Sequence, residues 1–551
     1  LIDLNKTGKF LNFVPTTEGK EGRKERGKPF DTPHIGRSSG IRAKLLADTG
    51  EYVLGLAREE DKQDRVDECH RAFIEQIRAC ATAINEPAVN AVLKFMEEMK
   101  RSSLRLPDGF NPGDNLTFRV DGVLPIHLKS VQNYWASVAG GTDDEHPATT
   151  EDLMECLICG QLRQPVKRHQ FKIKRIPGGQ TSGMALISAN ATAFESYGLQ
   201  ASLIAPTCED CGERFTKAAN ALIEGATSHI TVGPLVYIFW TKEERDFSIA
   251  SLLSKPEPDE VRALIDSAFS GRQAATHIDT TPFYATAFSA SGGRVVVRDW
   301  IDTPIQEVRR NLARYFALQT IVERDGTVGH PYGLYALAAS TVRDANRDLP
   351  PQVPKVLLHV ALNGGPLPLW LLFQAVKRNR AEGGITRNRA ALIKMVLLTQ
   401  QPEFTQEEVM ASLDVGNRNT AYLCGRLLAV LEAIQYQAVR PKATLVDRFY
   451  GTASSAPASV FGHLLRGGQN HLTKLRKESP GAHTNLQKRL EEILDGIDAA
   501  SGYPRVLTLQ EQGLFGLGYY HQRAADRSAA IARKQSAEEK GKSAPSSEKA
   551  R

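Results

Sequence analysis

The sequence predicts an α+β N-terminal domain carrying a zinc-knuckle insertion, followed by an all-α helical bundle at the C-terminus. Three observations lead there. Two CxxCG knuckles interrupt the first part of the chain. Short β-rich runs alternate with amphipathic stretches up to about residue 345. Beyond that point apolar residues recur at helical spacing alone. The expected division is residues 1–345, with a four-cysteine zinc site at 156–211, then a bundle at 346–523 and a disordered tail at 524–551. A length of 551 residues suits two or three domains, and 41% hydrophobic residues are enough to build their cores.

Residues 1–60 read as extended and loop-rich, with a strand at 51–56 (EYVLGL) after a Gly/Pro/Arg-rich stretch. Val66, Cys69, Phe73 and Ile77 fall three and four apart, which places them on one face of a helix. Residues 117–120 and 230–240 read as strands, and 283–289 with 294–300 as a hairpin around 290–293. Pro350, Pro351 and Pro354 mark the change of character. After them Leu423, Leu427, Leu431 and Ile434 share a helix face, as do Leu486, Leu490, Ile493 and Ile497. Gly467-Gly468 and Pro480-Gly481 read as linkers within a bundle of five or six helices. The end of the chain, from Ala524, is rich in Ala, Ser, Lys and Glu and lacks aromatics, as a disordered tail or a frayed helix would be.

Four of the seven cysteines form the knuckles, Cys156-Leu-Ile-Cys159-Gly160 and Cys208-Glu-Asp-Cys211-Gly212. A two-residue spacer lets both thiolates of a pair reach one tetrahedral metal, and the following glycine lets backbone N–H groups turn toward sulfur. Structural zinc is the expected cofactor. Disulfides are disfavoured in a reducing cytosol, and an Fe–S cluster is chemically permissible. Four thiolates leave no open position for catalysis, so the site is expected to staple two distant segments. Cys69, Cys80 and Cys424 lie on apolar helix faces and read as packing thiols.

The net charge is only +6, yet three stretches concentrate more than that. Residues 20–44 carry eight Lys/Arg against three acids, 161–176 carry six against none, and 374–477 carry fifteen against seven. Such concentrations suit a polyphosphate partner, because each neutralised phosphate releases condensed counterions. No run of 18 apolar residues and no signal pattern occurs, which suggests a protein of the cytoplasm with no membrane partner. The chain begins at Leu1, so its natural N-terminus is expected to be missing. There is no GxxxxGK[ST], GxGxxG, HExxH or GxSxG. No catalytic residue is therefore assigned, and a nucleic-acid-processing nuclease with an unrecognised acidic site stays as the alternative. His169 lies within a basic run and reads as a phosphate contact. The 178–183 loop (GGQTSG) reads either as a phosphate cradle or as a plain turn.

Several segments resemble one family. Residues 188–198 (SANATAFESYG), with Gly179-Gln180-Thr181-Ser182-Gly183 before them, are similar to the most distinctive stretch of the large subunit of type I-C CRISPR Cascade, the Csd family. Ser39-Gly40-Ile41 leading into 51–56, 389–394 (RAALIK), 422–435 (YLCGRLLAVLEAIQ), 447–461 (DRFYGTASSAPASVF), 471–477 (HLTKLRK) and 511–523 (EQGLFGLGYYHQR) follow in the family's order. The family's N-terminal segment has no counterpart here. The cysteines are not uniform across the family, so the zinc reading rests on their spacing.

The resemblance implies a bacterial, cytoplasmic and non-catalytic subunit. In such complexes the guide RNA reads the target, while the large subunit checks a short flanking motif in double-stranded DNA and helps open it. The implied partners are the backbone and guide-RNA-processing subunits, guide RNA, target duplex, displaced single strand and a helicase-nuclease recruited afterwards. Arg37, Ser38, Ser39, Gly40 and Arg42 would meet the motif, with Ser39 standing where the family can carry Asn. Lys20, Arg23, Lys24, Arg26, Lys28, Lys167, Arg168, Lys172, Lys174, Arg175 and Gln180 would hold the backbone without reading it. The bundle resembles the family's small-subunit domain, which is also made separately by internal translation; Met395, Met410 or a valine codon are candidate starts. Arg426, Arg440, Lys442, Arg448, Arg466, Lys474 and Arg476 would line the path of the displaced strand.

Overall fold

The computed structural model describes residues 1–16, 27, 30, 32–33, 41–59, 62–99, 104–107, 109–139, 153–189, 191–242, 249–269, 281–400, 409, 411–498 and 500–542. The chain divides into two compact units, one formed by Leu1–Phe171 with Ala191–Glu213, the other by Lys172–Asn190 with Arg214–Arg551.

Unit 1 is built on a four-stranded sheet of order β2-β1-β4-β3, formed by β1 (Ile2–Leu4), β2 (Phe10–Phe13), β3 (Ala47–Thr49) and β4 (Asn115–Val120). β1 and β4 run parallel, in a register that sets Asp3 beside Arg119. Arg119 donates to both carboxylate oxygens of Asp3, at 2.9 and 2.8 Å, and holds that carboxyl below its usual range. A single helical turn, α1 (Gly50–Val53), follows β3 where a strand was expected at 51–56. Tyr52, Val53 and Leu54 are all buried, and a short apolar run looks the same in a buried turn as in a buried strand. Helix α2 (Gln63–Ile84) buries Val66, Cys69, Phe73 and Ile77 as their spacing predicts. With α3 (Pro87–Glu98) it closes a core around Phe118, Val92 and Phe95. Helix α4 (Lys129–Ala139) adds Val131 to that core.

Unit 2 holds an antiparallel sheet of order β10-β9-β8-β7, from β7 (His229–Val232), β8 (Leu235–Thr241), β9 (Pro282–Ser291) and β10 (Arg294–Pro304). The expected hairpin is β9–β10, with a register shift between Val297 and Asp299. One sheet face carries Tyr237, Phe239, Phe283, Ala287 and Ile301 into a continuous core. That core runs through α8 (Ile305–Gln319), α11 (Gln352–Asn363), α13 (Arg387–Gln400) and on to α14 (Thr420–Val439) and α18 (Leu509–Lys542). The short helices α6 (Ile249–Ser254) and α7 (Pro258–Phe269) precede β9, while α9 (Leu334–Ala339) and α10 (Ala345–Asp348) lie between α8 and α11. Core continuity is why prolines 350–354 mark no domain boundary: Pro351 only caps α11. The other sheet face packs Val236, Ile238, Phe288 and Val295 against Ile173, Ile176 and Met184, and against Ala219 and Ile223 of α5 (Glu209–Glu224).

The C-terminal part is helical as expected but more finely divided. Among the described residues it also includes α12 (Leu369–Glu382), α15 (Leu445–Ala453), α16 (Phe461–Glu478) and α17 (Pro480–Asp495). Gly467-Gly468 is not a linker, because α16 runs straight through it. A Cβ on Gly468 would lie 2.7 Å from Leu431 Cδ2, so that glycine is a packing notch. Pro480 does start a helix, at its first turn. Of the two readings of the end of the chain, helix extends past Ala524: α18 continues to Lys542, and Asp526 on it pairs with Arg489 at 2.5 Å. Ala, Lys, Glu and Arg suit a helix as well as a disordered tail, so composition alone could not separate the two.

Candidate metal centre and nucleic-acid surfaces

The first knuckle is a two-stranded ribbon, β5 (Met154–Glu155) paired with β6 (Leu162–Arg163). Its turn is closed by Gly160 N–H donating to Cys156 O (2.8 Å) and Cys156 N–H to Gln161 O (2.9 Å). Gly160 sits at φ 67°, in the left-handed region that glycine enters without strain. The second knuckle opens α5, where Gly212 N–H donates to Cys208 O (3.0 Å). Here glycine serves space, since a Cβ would meet His169 Nδ1 at 3.0 Å. His169 is therefore packed beside the knuckle, and burial lowers its pKa. Leu157 N–H to Pro206 O and Val166 N–H to Thr207 O, both 2.9 Å, tie the two knuckle segments together.

The four Sγ atoms of Cys156, Cys159, Cys208 and Cys211 lie within 4.8 Å of one another, and none is in a disulfide. Three are buried and Cys159 is exposed. Burial pushes the Cys156 thiol up, but backbone N–H groups of Cys159, Cys208 and Ile158 aimed at its sulfur bring it down to about 6. The Cys208 amide makes one of these contacts, at 3.4 Å. Cys208 and Cys211 are pushed the other way, both first by burial, with the neighbouring sulfurs adding to the rise at Cys211 and contacts with Cys211 offsetting part of it at Cys208. A bare cluster thus favours one thiolate at the expense of the rest, and a divalent cation removes that conflict. The donor set could hold a metal ion such as zinc, whose tetrahedron at ~2.3 Å from each sulfur suits four sulfurs this close.

Of the motif-facing set, Arg37, Ser38, Ser39 and Gly40 lie outside the described residues, as do Lys20, Arg23, Lys24, Arg26 and Lys28. Arg42 is half-buried just before β3. In unit 1, Lys167 and Arg168 are exposed. In unit 2, Lys172, Lys174, Arg175 and Gln180 are exposed, with Arg175 paired to Glu224 at 3.2 Å. In the glycine loop, the Gly179 and Gly183 amides donate to Ile176 O and Gln180 O, so those two N–H groups hold a turn rather than a phosphate.

Among the strand-path residues, Arg440, Lys442, Arg448, Arg466, Lys474 and Arg476 are exposed on unit 2. Arg426 is not: it is 2% exposed, its Nε donates to Gln522 Oε1 at 3.0 Å and its Nη2 to Glu492 Oε1 at 2.6 Å. It is a structural cation inside the bundle and is withdrawn from the path. It belongs to a polar seam between α14 and α18, with Tyr422 and His521 hydrogen-bonded at 3.0 Å and Tyr519 donating to Glu432 at 2.8 Å.

Sequence reasoning missed two groups in unit 2. One is the pair of Asp299 and His359, with Nδ1 3.0 Å from the carboxylate and Tyr237 beside it. The other is an aromatic cluster of Trp240, Tyr284 and Trp300. Both join residues far apart in the chain; only strand register shows that the rings share a face.

No helix among the described residues is long and apolar enough to cross a membrane. No curated protein matches the chain. The family model for CRISPR-associated protein (Cas_Csd1), however, matches residues 1–526, a span that holds the knuckles, all of unit 1, most of unit 2 and the signature segments read from the sequence. The chain therefore belongs to the Cas_Csd1 family of CRISPR-associated proteins.

Proposed function

We propose that this chain is the large subunit of a type I-C Cascade that recognises the flanking motif in duplex DNA, helps unwind it and stabilises the displaced strand. It then recruits a separate helicase-nuclease and catalyses nothing itself. The observation that carries this reading is the family match over residues 1–526. The exposed cations of both units support it, since they face solvent rather than lie within a core. The residue types at 37–42 fit the motif-reading role, and zinc in the four-cysteine site fits a structural one.

A hydrolytic reading has one observation in its favour. The buried carboxylate of Asp299 orients His359, which is partly open to solvent, as a general base would be oriented. Incubating the purified chain with labelled duplex and Mg²⁺ separates the two. The non-catalytic reading expects binding without cleavage, weakened roughly 10³-fold between 50 and 200 mM salt for about six phosphate contacts. Cleavage abolished by Asp299→Asn or His359→Ala would establish the alternative.

A further inference from the structure

The sheet face of β8, β9 and β10 that is turned away from the large core is covered along only part of its length. At one end the apolar cover consists of Ile173, Ile176 and Met184 from the 172–189 segment, with Ala219 and Ile223 of α5, over Val236, Phe288 and Val295. At the other end stand three rings. Trp240 and Tyr284, paired across β8 and β9, stack at 5.6 Å with planes 20° apart. Trp300, on the edge strand β10, meets Trp240 edge-on at 5.7 Å and 64°. Its distance to Tyr284 is 6.3 Å. Trp300 is 56% exposed. Its contacts with the other two rings fix its orientation and leave part of its surface free to stack.

The charge on this layer says what the occupant of that surface is. The segment that covers the neighbouring half of the face carries Lys172, Lys174 and Arg175, all exposed, with Arg175 paired to Glu224 of α5 at 3.2 Å, and α5 above it carries exposed Lys217. The Asn220 side chain fastens this basic segment to α5, accepting from Lys174 N–H (2.9 Å) and donating to Lys172 O (3.0 Å). Trp240 and Tyr284 lie four strand positions from Val236 and Phe288, on the order of 13 Å at ~3.3 Å per residue. Lys242 follows the end of β8, and one acid, Asp302, stands in register with Tyr284 on the ring face, at the end of the strands farther from the basic segment. Rings for stacking beside cations for phosphate are the two parts of a single-strand binding surface. A protein partner would need apolar cover without that row of cations.

We propose that Trp300, backed by Trp240 and Tyr284, is a stacking platform for unpaired bases of a single-stranded nucleic acid whose phosphates run toward Lys172, Lys174 and Arg175. This rests on the nucleic-acid reading above and assigns it a place outside the helical cations named for the displaced strand. Stacking is sequence-tolerant, because every base offers a π face.

The test uses the full chain carrying Trp135→Phe and Trp370→Phe, so that emission reports Trp240 and Trp300 alone. Titration with a short oligothymidylate should quench that emission. Adding Trp300→Ala should weaken oligothymidylate binding about 10-fold, as loss of one stacked base at ~1–3 kcal/mol requires. Trp300→Phe should restore most of the affinity, and duplex binding should stay at the parent level throughout. Unchanged oligothymidylate affinity in Trp300→Ala, with duplex still bound, overturns the platform and leaves the proposed function standing. The same unchanged affinity with loss of assembly into the complex would make this face a protein interface and also overturns it. A parent chain that binds neither nucleic acid overturns both readings.

Discussion

The cysteine knuckles of unit 1 and the α14–α18 pair of unit 2 both join segments distant in sequence, by opposite physical means. Around the knuckles little apolar surface is buried: the cysteines form a small cluster of their own, while Leu157, Ile158 and Leu162 stay exposed. Cohesion there rests on a few backbone hydrogen bonds, such as Leu157 N–H to Pro206 O, and on whatever metal–sulfur bonds an ion such as zinc would add. Between α14 and α18 no metal is needed. A Cβ on Gly425 would sit 2.0 Å from Phe515 O, and one on Gly518 2.1 Å from Tyr422 O, so the backbones touch. Dispersion and a buried polar seam do the rest. The contrast teaches that the first junction should fail by chemistry and the second by sterics.

Metal removal is the strongest way to break that contrast. Cys156→Ser with Cys159→Ser, or a strong chelator, should forfeit on the order of 10 kcal/mol of metal-linked folding energy. Limited proteolysis should then cut between residues 153 and 171, while the thermal transition of unit 2 stays put. Elemental analysis finding a well-folded chain without zinc would dissolve the comparison. Next comes Gly518→Ala, expected to cost about 3 kcal/mol by overpacking, read as a lower denaturant midpoint with zinc content unchanged. A change under ~0.5 kcal/mol would mean the helices are not in contact there.

Smaller effects sharpen the polar seam. Arg426→Ala should cost about 2 kcal/mol, discounted because Glu492 is half exposed, and leave single-strand affinity alone. Arg440→Ala with Arg448→Ala should do the reverse, leaving stability within ~0.5 kcal/mol while reducing the salt dependence of binding by roughly one unit per lost contact. If the two variants exchanged phenotypes, the reassignment of Arg426 would be wrong. His521 gives a pH signature. Burial, with the Lys394 charge adding to it, pushes its imidazole down to about 3 from 6.5. As pH falls below about 6.5 the unfolded chain takes up a proton that the folded chain refuses. Stability is full above that pH and is lost toward pH 3, by up to ~1.4 kcal/mol per unit. His521→Gln should flatten this slope; an unaltered slope would move its origin elsewhere.

What could be read from the sequence was what local spacing determines. The knuckles were legible because two residues separate each cysteine pair, and the β9–β10 hairpin because two β-rich runs flank the small residues 290–293. The α2 and α14 faces were legible from the three-and-four spacing of their apolar residues. Arg426 was misread because sequence shows a cation's sign and not its partner: Glu492 and Gln522 stand 66 and 96 residues further on. Gly468 looked like a linker because only Leu431, on another helix, makes it a notch. The run at 51–56 was too short for periodicity to decide. The core that β8 and β9 share with the helices after residue 345 was not legible, because it joins residues far apart in the chain.

The most direct test is capture of duplex DNA bearing the flanking motif by reconstituted particles with and without this polypeptide, followed over a salt series. Particles holding the chain should bind at least ten times more tightly at low salt, and that advantage should fade steeply as salt rises. Equal capture at every salt concentration would contradict the claim that its exposed cations hold nucleic acid for another subunit to cut.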